Sequence, residues 1–271
     1  MYKLLACDLD ETLLDDDKNI SKKNSDAIQR ARSLGVKFVI TTGRGYIHVQ
    51  DVLKELGLFD LENEYVISYN GGIITENKNN RVIDFHSLPY DAVHTLFEYG
   101  VKKDVGIHVS TTSAVYIYNL GDDEKIYLPG RMDDCNYLDD PDISFLKDAP
   151  LVKVLFHHTD IQFLKSIEDK VKKISPVPLY ICYSSSRYLE MNKLGVTKGS
   201  AAMTLAGLLD IRPEEVIGIG DNDNDIPLVT AAGLGVSVRN GIPAIKEKAG
   251  YVCKSTNNES AIAEVLEKFI F

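Results

Sequence analysis

Short unbroken apolar runs separated by amphipathic segments occupy both ends of this chain. Lys3–Cys7, Val36–Ile40 and Tyr65–Tyr69 lie at the start, and Val216–Ile219 and Gly235–Val238 lie near the end. A strand with one face in water alternates apolar and polar residues, whereas an unbroken run suits a strand covered on both faces, as in a parallel sheet. The segments between the runs carry helical spacing. Ser21 is placed to cap a helix with Ala27, Ile28, Ala31 and Leu34 on its apolar face, and Gly35 ends it. A second helix is expected near Ile47–Leu56, closed by Gly57. Lys198–Leu209, Asp223–Ala232 (closed by Gly233) and Glu259–Phe269 show the same spacing later. The opening order is βαβαβ, so the expected fold class is α/β with a doubly wound, Rossmann-like parallel sheet.

The middle of the chain reads differently. Gly106–Ser110 and Ala114–Tyr118 are strand-like runs around Thr111, Thr112 and Ser113, a hairpin signal. Further strands are expected at Val152–His157, Leu179–Tyr183 and Arg187–Met191, and helices near Tyr90–Lys103 and Ile161–Ile174. Asp133–Asp142 is acidic and turn-rich and reads as a surface loop. The expected division is a core of residues 1–83 and 187–271 with an inserted α/β cap domain of residues 84–186. A length of 271 residues accommodates both.

Charge and composition exclude several classes. A formal net charge of −10 disfavours a nucleic-acid backbone or an anionic membrane as partner. No run reaches the ~18–20 apolar residues of a membrane-spanning helix. Leu4–Cys7 runs straight into acids, unlike a signal peptide. Cys7, Cys135, Cys182 and Cys253 are scattered and form no C-x-x-C pair, which argues against a zinc site or disulfide framework. The cytoplasm is the expected location, and no obligate protein partner is expected.

Four polar clusters fall at or near the C-terminal ends of expected strands, where open α/β sheets place their sites. Asp8 and Asp10 follow the first strand in Asp8-Leu9-Asp10-Glu11-Thr12 and share one face of an extended chain. Two close carboxylates repel, and a divalent cation relieves that repulsion. Thr41-Thr42-Gly43-Arg44 ends the second strand, where a hydroxyl and exposed backbone N–H groups suit phosphoryl oxygens. Lys198 begins a helix after Gly195-Val196-Thr197, a position for a cation at a helix N-terminus. Gly220-Asp221-Asn222-Asp223-Asn224-Asp225 packs acids and amides into one turn, as a hard-cation site would. Turn chemistry, helix capping or a solvated acidic loop accounts for any one cluster alone. The four in this order are much more specific.

The set DLDET, TTGR, a single Lys before a helix and GDNDND resembles the four motifs of the haloacid-dehalogenase-like phosphatases. With the inserted cap, YNGG at Tyr69–Gly72 and GVTKGSA at Gly195–Ala201, the chain is similar to the Cof-type branch and its bacterial sugar-phosphate phosphatases. The resemblance implies hydrolysis of a small phosphorylated metabolite with Mg2+. It implies that Asp8 is nucleophile and metal ligand, and that Asp10 is general acid/base with its carbonyl on the metal. It implies that Leu9, Thr42, Gly43, Lys198 and Asn224 bind phosphate, that Asp221 is the remaining metal ligand, and that Asp225, Arg44 and Asn70 support them. Glu11 departs from the pattern, since many relatives have Gly there; it adds negative charge near the site and a side chain where Gly allows a freer backbone.

Rival readings fit less well. A cysteine phosphatase needs Arg six residues after its Cys, and Leu13 holds that position relative to Cys7. No G-x-x-x-x-G-K-[ST] frame contains Lys198, and Asp223 breaks the G-x-G-x-x-G spacing begun by Gly218 and Gly220. His157 and His158 point to opposite faces of a strand and read as structural. A phospho-acceptor signalling domain would be shorter, without the insertion, and a sugar phosphomutase would return the phosphoryl group to a substrate hydroxyl.

Overall fold

The first apolar run forms β1 (Leu4–Asp8), and every residue in it is buried. Leu5 and Cys7 join one apolar cluster, while Leu4 and Ala6 join another. Both faces of the strand are therefore covered, as its unbroken pattern requires. A computed structural model describes all residues, Met1–Phe271, and they form two units: Met1–Asp84 with Thr197–Phe271, and Phe85–Val196.

The first unit is built on an eight-stranded sheet. Its strands are β1, β2 (Lys37–Thr41), β3 (Tyr65–Ser68), β4 (Ile73–Glu76), β5 (Arg81–Phe85), β12 (Val216–Gly220), β13 (Leu234–Ser237) and β14 (Tyr251–Val252), in the order β14-β13-β12-β1-β2-β3-β4-β5. Strands β14 to β3 are parallel, and β4 pairs antiparallel with β3. On one face pack α1 (Lys22–Ser33), α2 (Gln50–Glu55) and α9 (Ala261–Phe269), contributing Ile28, Leu53 and Leu266. On the other pack α6 (Lys198–Leu208) and α7 (Ile226–Ala231), contributing Ala202, Leu205 and Leu228, and a short α8 (Pro243–Lys248) follows β13. Ser21 caps α1 as expected, accepting from the Asn24 N–H at 3.2 Å.

The hairpin strands β4 and β5 lie in stretches that the sequence pattern left without elements. Gly71 and Gly72 turn the chain back after β3, and Asn77–Asn80 turn it again before β5. Gly71 matters for more than the turn. It lies at φ +97, and a Cβ there would sit 2.3 Å from the carbonyl oxygen of Thr197, the residue capping α6. The loop after β3 and the start of α6 approach this closely only because Gly71 has no side chain.

The second unit has a six-stranded sheet. Its strands are β6 (Gly106–Thr111), β7 (Val115–Tyr118), β8 (Cys135–Leu138), β9 (Leu151–His157), β10 (Leu179–Ser184) and β11 (Tyr188–Lys193), in the order β10-β11-β9-β6-β7-β8. Helices α3 (Tyr90–Lys102) and α5 (Ile161–Ile174) supply Val93, Leu96, Phe97, Leu164, Ile167 and Val171 to the core that also holds Ile107, Val154, Phe156 and Leu189. Alternation along the strands sends His108, Lys153, His157, Tyr188, Glu190 and Asn192 to the opposite face.

Two expectations need correction here. The unit runs on to Val196 and not only to residue 186, because β11 pairs with β10 and β9 and so belongs to this sheet. Part of the stretch read as a loop, Asp133–Asp142, is a strand: β8 pairs parallel with β7, and that pairing overrides its acidic composition. A short helix, α4 (Asp122–Tyr127), was also without a sequence signal. It is tied down by Glu124, which is fully buried and accepts from Tyr188 Oη at 2.8 Å, with His108 Nε2 at 3.1 Å. His157 is buried beside Asp123, with Nε2 to Oδ2 at 3.0 Å, a structural role. No helix of the chain is long and apolar enough to cross a membrane.

The glycine contact gives a test of the first unit. Gly71→Ala is expected to destabilise it by about 1–3 kcal/mol, because both the left-handed backbone and the clash oppose a Cβ. Urea unfolding followed by far-UV dichroism would read this, and an unchanged midpoint would contradict the tight approach.

Candidate active site

Three neighbouring parallel strands end together. β1 ends in Asp8, β2 leads into Thr42, and β12 leads into Asp221. Because β1 is flanked by β2 on one side and by β12 on the other, this is the point where successive connections leave in opposite directions, the usual place for a site in such sheets.

Lys198 is the link between the clusters. It is the first residue of α6, it is 1% exposed, and its ammonium lies 2.5 Å from Asp8 Oδ1 and 2.5 Å from Asp225 Oδ1. Thr197 and Ser200 form a capping box that fixes the start of the helix. A Cβ at Gly199 would fall 2.2 Å from the carbonyl oxygen of Pro227, so a glycine next to Lys198 lets α6 lie against α7. Burial opposes the charge on Lys198, but Asp225 and Asp8 prevail and hold it protonated well above the usual lysine range.

Asp225 is fully engaged. Lys198 takes Oδ1, and the N–H groups of Asp221 and Asn222 each donate to Oδ2 at 3.0 Å. Asp8 and Asp221 differ. Lys198 donates to one oxygen of Asp8, and Thr12 Oγ1 donates to Asp221 Oδ1 at 2.9 Å. Single carboxylate oxygens of Asp8, Asp221 and Asp225 lie within 4.8 Å of one another. Burial above all, then the charge of Asp225, pushes the Asp8 carboxyl up to about 7 against the pull of Lys198. Burial, then Asp8, Asp225 and Glu11, hold the Asp221 carboxyl well above its ordinary range. Three buried acids facing one ammonium leave excess negative charge, and hard carboxylate oxygens with no cysteine or histidine among them suit Mg2+. The donor set therefore fits the ion.

The remaining residues gather around this cluster. Arg44 is buried and reaches both oxygens of Asp10, with Nε 2.8 Å from Oδ2 and Nη2 on Oδ1. Such fork-to-fork pairing fixes a carboxylate's plane as well as its position. Thr42 Oγ1 accepts from the Arg44 N–H at 3.0 Å, which leaves its own proton available to a ligand. The loops after β2 and β3 are laced together: Asn70 N–H donates to Thr42 O at 2.9 Å, and Tyr69 N–H to Arg44 O at 3.0 Å. Asn70 adopts the left-handed region at φ 57, and its Oδ1 accepts from Asn224 Nδ2 at 3.2 Å. Leu9 and Gly43 lie in the loops directly after β1 and β2. Thr12 was not among the expected site residues. The final position of the D-x-D-x-T pattern was its only signal.

The raised carboxyls give a pH dependence. A carboxyl whose folded pKa lies above its unfolded value binds more protons when folded, so its contribution makes stability fall as pH rises from about 4 to about 7. A divalent cation binds the ionised form and offsets the loss. Mg2+ is expected to raise the melting temperature more at pH 8 than at pH 5.5, read by thermal melts with and without the ion. Equal shifts at both pH values would contradict the arrangement.

Comparison with known proteins agrees with this geometry. The family model described as haloacid dehalogenase-like hydrolase matches residues 5–266. YxeH of Bacillus subtilis (strain 168), by name a candidate phosphatase, is 31% identical over 276 residues, covering 100% of this chain and 99% of its own. YcsE of the same organism, named a 5-amino-6-(5-phospho-D-ribitylamino)uracil phosphatase, is 28% identical over 268 residues, covering 99% of this chain and 96% of its own. Among solved structures, a haloacid dehalogenase-like hydrolase from Bacteroides thetaiotaomicron matches with a TM-score of 0.85 at 26% identity, covering 100% of both chains. A match that begins in β1 and ends in α9 takes in all the strand ends that build the site, and the chain belongs to the haloacid dehalogenase-like hydrolases.

Proposed function

We propose that this chain is a Mg2+-dependent phosphatase of small phosphorylated metabolites, sugar phosphates foremost, working through an aspartyl phosphate on Asp8. The observation that carries the reading is the grip of Lys198 on Oδ1 of Asp8, at the end of β1, with Oδ2 accepting no hydrogen bond. A carboxylate held by one oxygen and open at the other is oriented for attack. The relative named for a phosphorylated ribityl compound supports a polyol phosphate as substrate class.

Asp8 and Asp221, with the main-chain carbonyl of Asp10, would hold Mg2+, which supplies charge neutralisation at the phosphoryl oxygens. Thr42, Lys198, Asn224 and the N–H groups of Leu9 and Gly43 bind the same oxygens and place phosphorus in line with Asp8. Asp8 attacks phosphorus as the ester P–O bond breaks, and Asp10 delivers its proton to the departing alkoxide. Asp10 then takes a proton from water, the water oxygen bonds to phosphorus, and phosphate leaves with Asp8 regenerated. Arg44 sets the direction of Asp10, and Asn70 that of Asn224. Positioning and fixed charge supply most of the acceleration.

The inserted unit we assign to choosing the alcohol. In its sheet, Lys153 pairs with Glu190, which also accepts from Ser184 Oγ at 2.5 Å. Both members of this pair are buried, so removing either charge strands the other and disturbs this face of the inserted sheet.

Two sets of variants test these roles. Asp8→Asn is expected to abolish phosphate release with an unchanged dichroism spectrum, and Asp10→Asn to do the same. Thr42→Ala is expected to lose about tenfold to hundredfold in kcat/KM, the value of one hydrogen bond to a charged group at about 1.5–3 kcal/mol. Turnover by purified Asp8→Asn would remove Asp8 as nucleophile. For the inserted unit, Glu190→Gln is expected to cut kcat/KM on the preferred sugar phosphate by about tenfold or more while changing p-nitrophenyl phosphate by less than about threefold. Parallel losses on both substrates would contradict a selective role.

A further inference from the structure

Tyr69, in the loop after β3, has no part in the chemistry above, yet it is held in an unfavourable backbone. Its φ is 52 and that of Asn70 is 57, so two residues with side chains occupy the left-handed region ahead of Gly71. That region is disfavoured for a bulky residue, which persists there only where its surroundings over-determine it. Tyr69 is among the largest fully buried side chains of the protein. Its ring lies against Gly45, where a Cβ would fall 2.7 Å from Tyr69 Cζ and collide with Oη. These contacts converge on Arg44. The Arg44 N–H donates to Thr42 Oγ1 at 3.0 Å, and the Arg44 carbonyl accepts from the Tyr69 N–H at 3.0 Å. With the ring seated on Gly45, the main chain is held on both sides of the Arg44 Cα. The side chain that starts there ends in a fork on both oxygens of Asp10.

We propose that Tyr69 is a positioning residue for proton transfer: its buried ring, seated on Gly45, fixes the main chain of Arg44 and through Arg44 aims the Asp10 carboxylate. The proposal rests on the reading of Asp10 as general acid/base. A fork-to-fork pair is directional, so a shift where the Arg44 side chain begins turns the plane of the carboxylate that it grips. A displacement of about 1 Å of a reacting group can slow a reaction about a hundredfold. The need for a delivered proton grows with the basicity of the departing oxygen. A residue that serves the acid therefore shows its loss on basic leaving groups. A residue that only supports the fold shows the same loss on all of them.

Single-turnover release of the phenol from 2,4-dinitrophenyl phosphate and from phenyl phosphate tests this in the full-length chain, because it reads the first step alone. Tyr69→Leu takes the ring off Gly45. It is expected to slow release from phenyl phosphate by about tenfold or more, and from 2,4-dinitrophenyl phosphate by less than about threefold. Gly45→Ala presses on the same ring from the other side and is expected to give the same pattern, so it decides the matter if Tyr69→Leu does not fold. Tyr69→Phe keeps the ring and is expected to recover most of the loss. In an Arg44→Ala background, Tyr69→Leu is expected to add less than about threefold on phenyl phosphate. Undiminished release from phenyl phosphate, or equal losses on the two esters, would overturn the proposal. So would a Tyr69→Phe variant as slow as Tyr69→Leu, because the seated ring would not be the cause. A full further loss in the Arg44→Ala background would also overturn it, because the effect would not pass through Arg44. Equal losses on the two esters in Asp10→Asn would instead overturn the acid reading of Asp10 on which the proposal stands.

Discussion

An ammonium group sealed between two carboxylates organises the catalytic end of the sheet. Lys198 touches Asp8 and Asp225 at once, and its charge offsets part of the cost of burying carboxylates at this depth. Removing one partner of a buried ion pair strands the other and is strongly destabilising, which ties the integrity of the first unit to its chemistry. The triad also joins three pieces far apart in the chain: the end of β1, the start of α6 and the turn after β12. Two glycines without side chains make that meeting possible. Gly71 admits the carbonyl of Thr197, and Gly199 admits that of Pro227. A Cβ at either would press first on one of those carbonyl oxygens, at the start of the helix that carries Lys198.

The site divides into groups already satisfied by the protein and groups left to a ligand. Asp225 has spent both oxygens on Lys198 and on two backbone N–H groups. Asp10 is gripped by Arg44. Asp8 and Asp221 each accept a single side-chain hydrogen bond, from Lys198 and Thr12 respectively. Among the three buried acids this asymmetry sets Asp225 apart from Asp8 and Asp221, which their shared burial does not. It also explains why Asp8 and Asp221 have raised carboxyls although a cation stands next to one of them: burial outweighs one shared ammonium.

Much of this was legible in the sequence, for physical reasons that also mark the limit. Unbroken apolar runs announced the parallel strands β1, β2, β3, β12 and β13, because a strand covered on both faces has no polar side to show. Polar clusters directly after those runs announced the site, because such sheets gather their strand ends. The elements missed were those whose stability is non-local. β8 is a strand because β7 lies beside it, and α4 is held by the buried contacts of Glu124 rather than by an apolar stripe. The true end of the inserted unit was hidden because β11 looks the same whether it pairs with β10 or with a core strand. Thr12 was missed because a threonine after two acids carries no sign of which distant carboxylate it will meet. Asp225 could not be separated from Asp221 by spacing, since only the folded turn turns backbone N–H groups onto one and not the other.

The central claim is that the Asp8 carboxylate forms a covalent bond to phosphorus. Rapid mixing of the enzyme with substrate, acid quenching within the first turnover and peptide mass spectrometry test it directly, because an acyl phosphate survives brief exposure to acid. The account predicts that phosphate appears on the peptide containing Asp8 and decays at a rate able to support turnover. Rapid substrate cleavage with no phosphorylated peptide at any time, or phosphate on a residue other than Asp8, would contradict it.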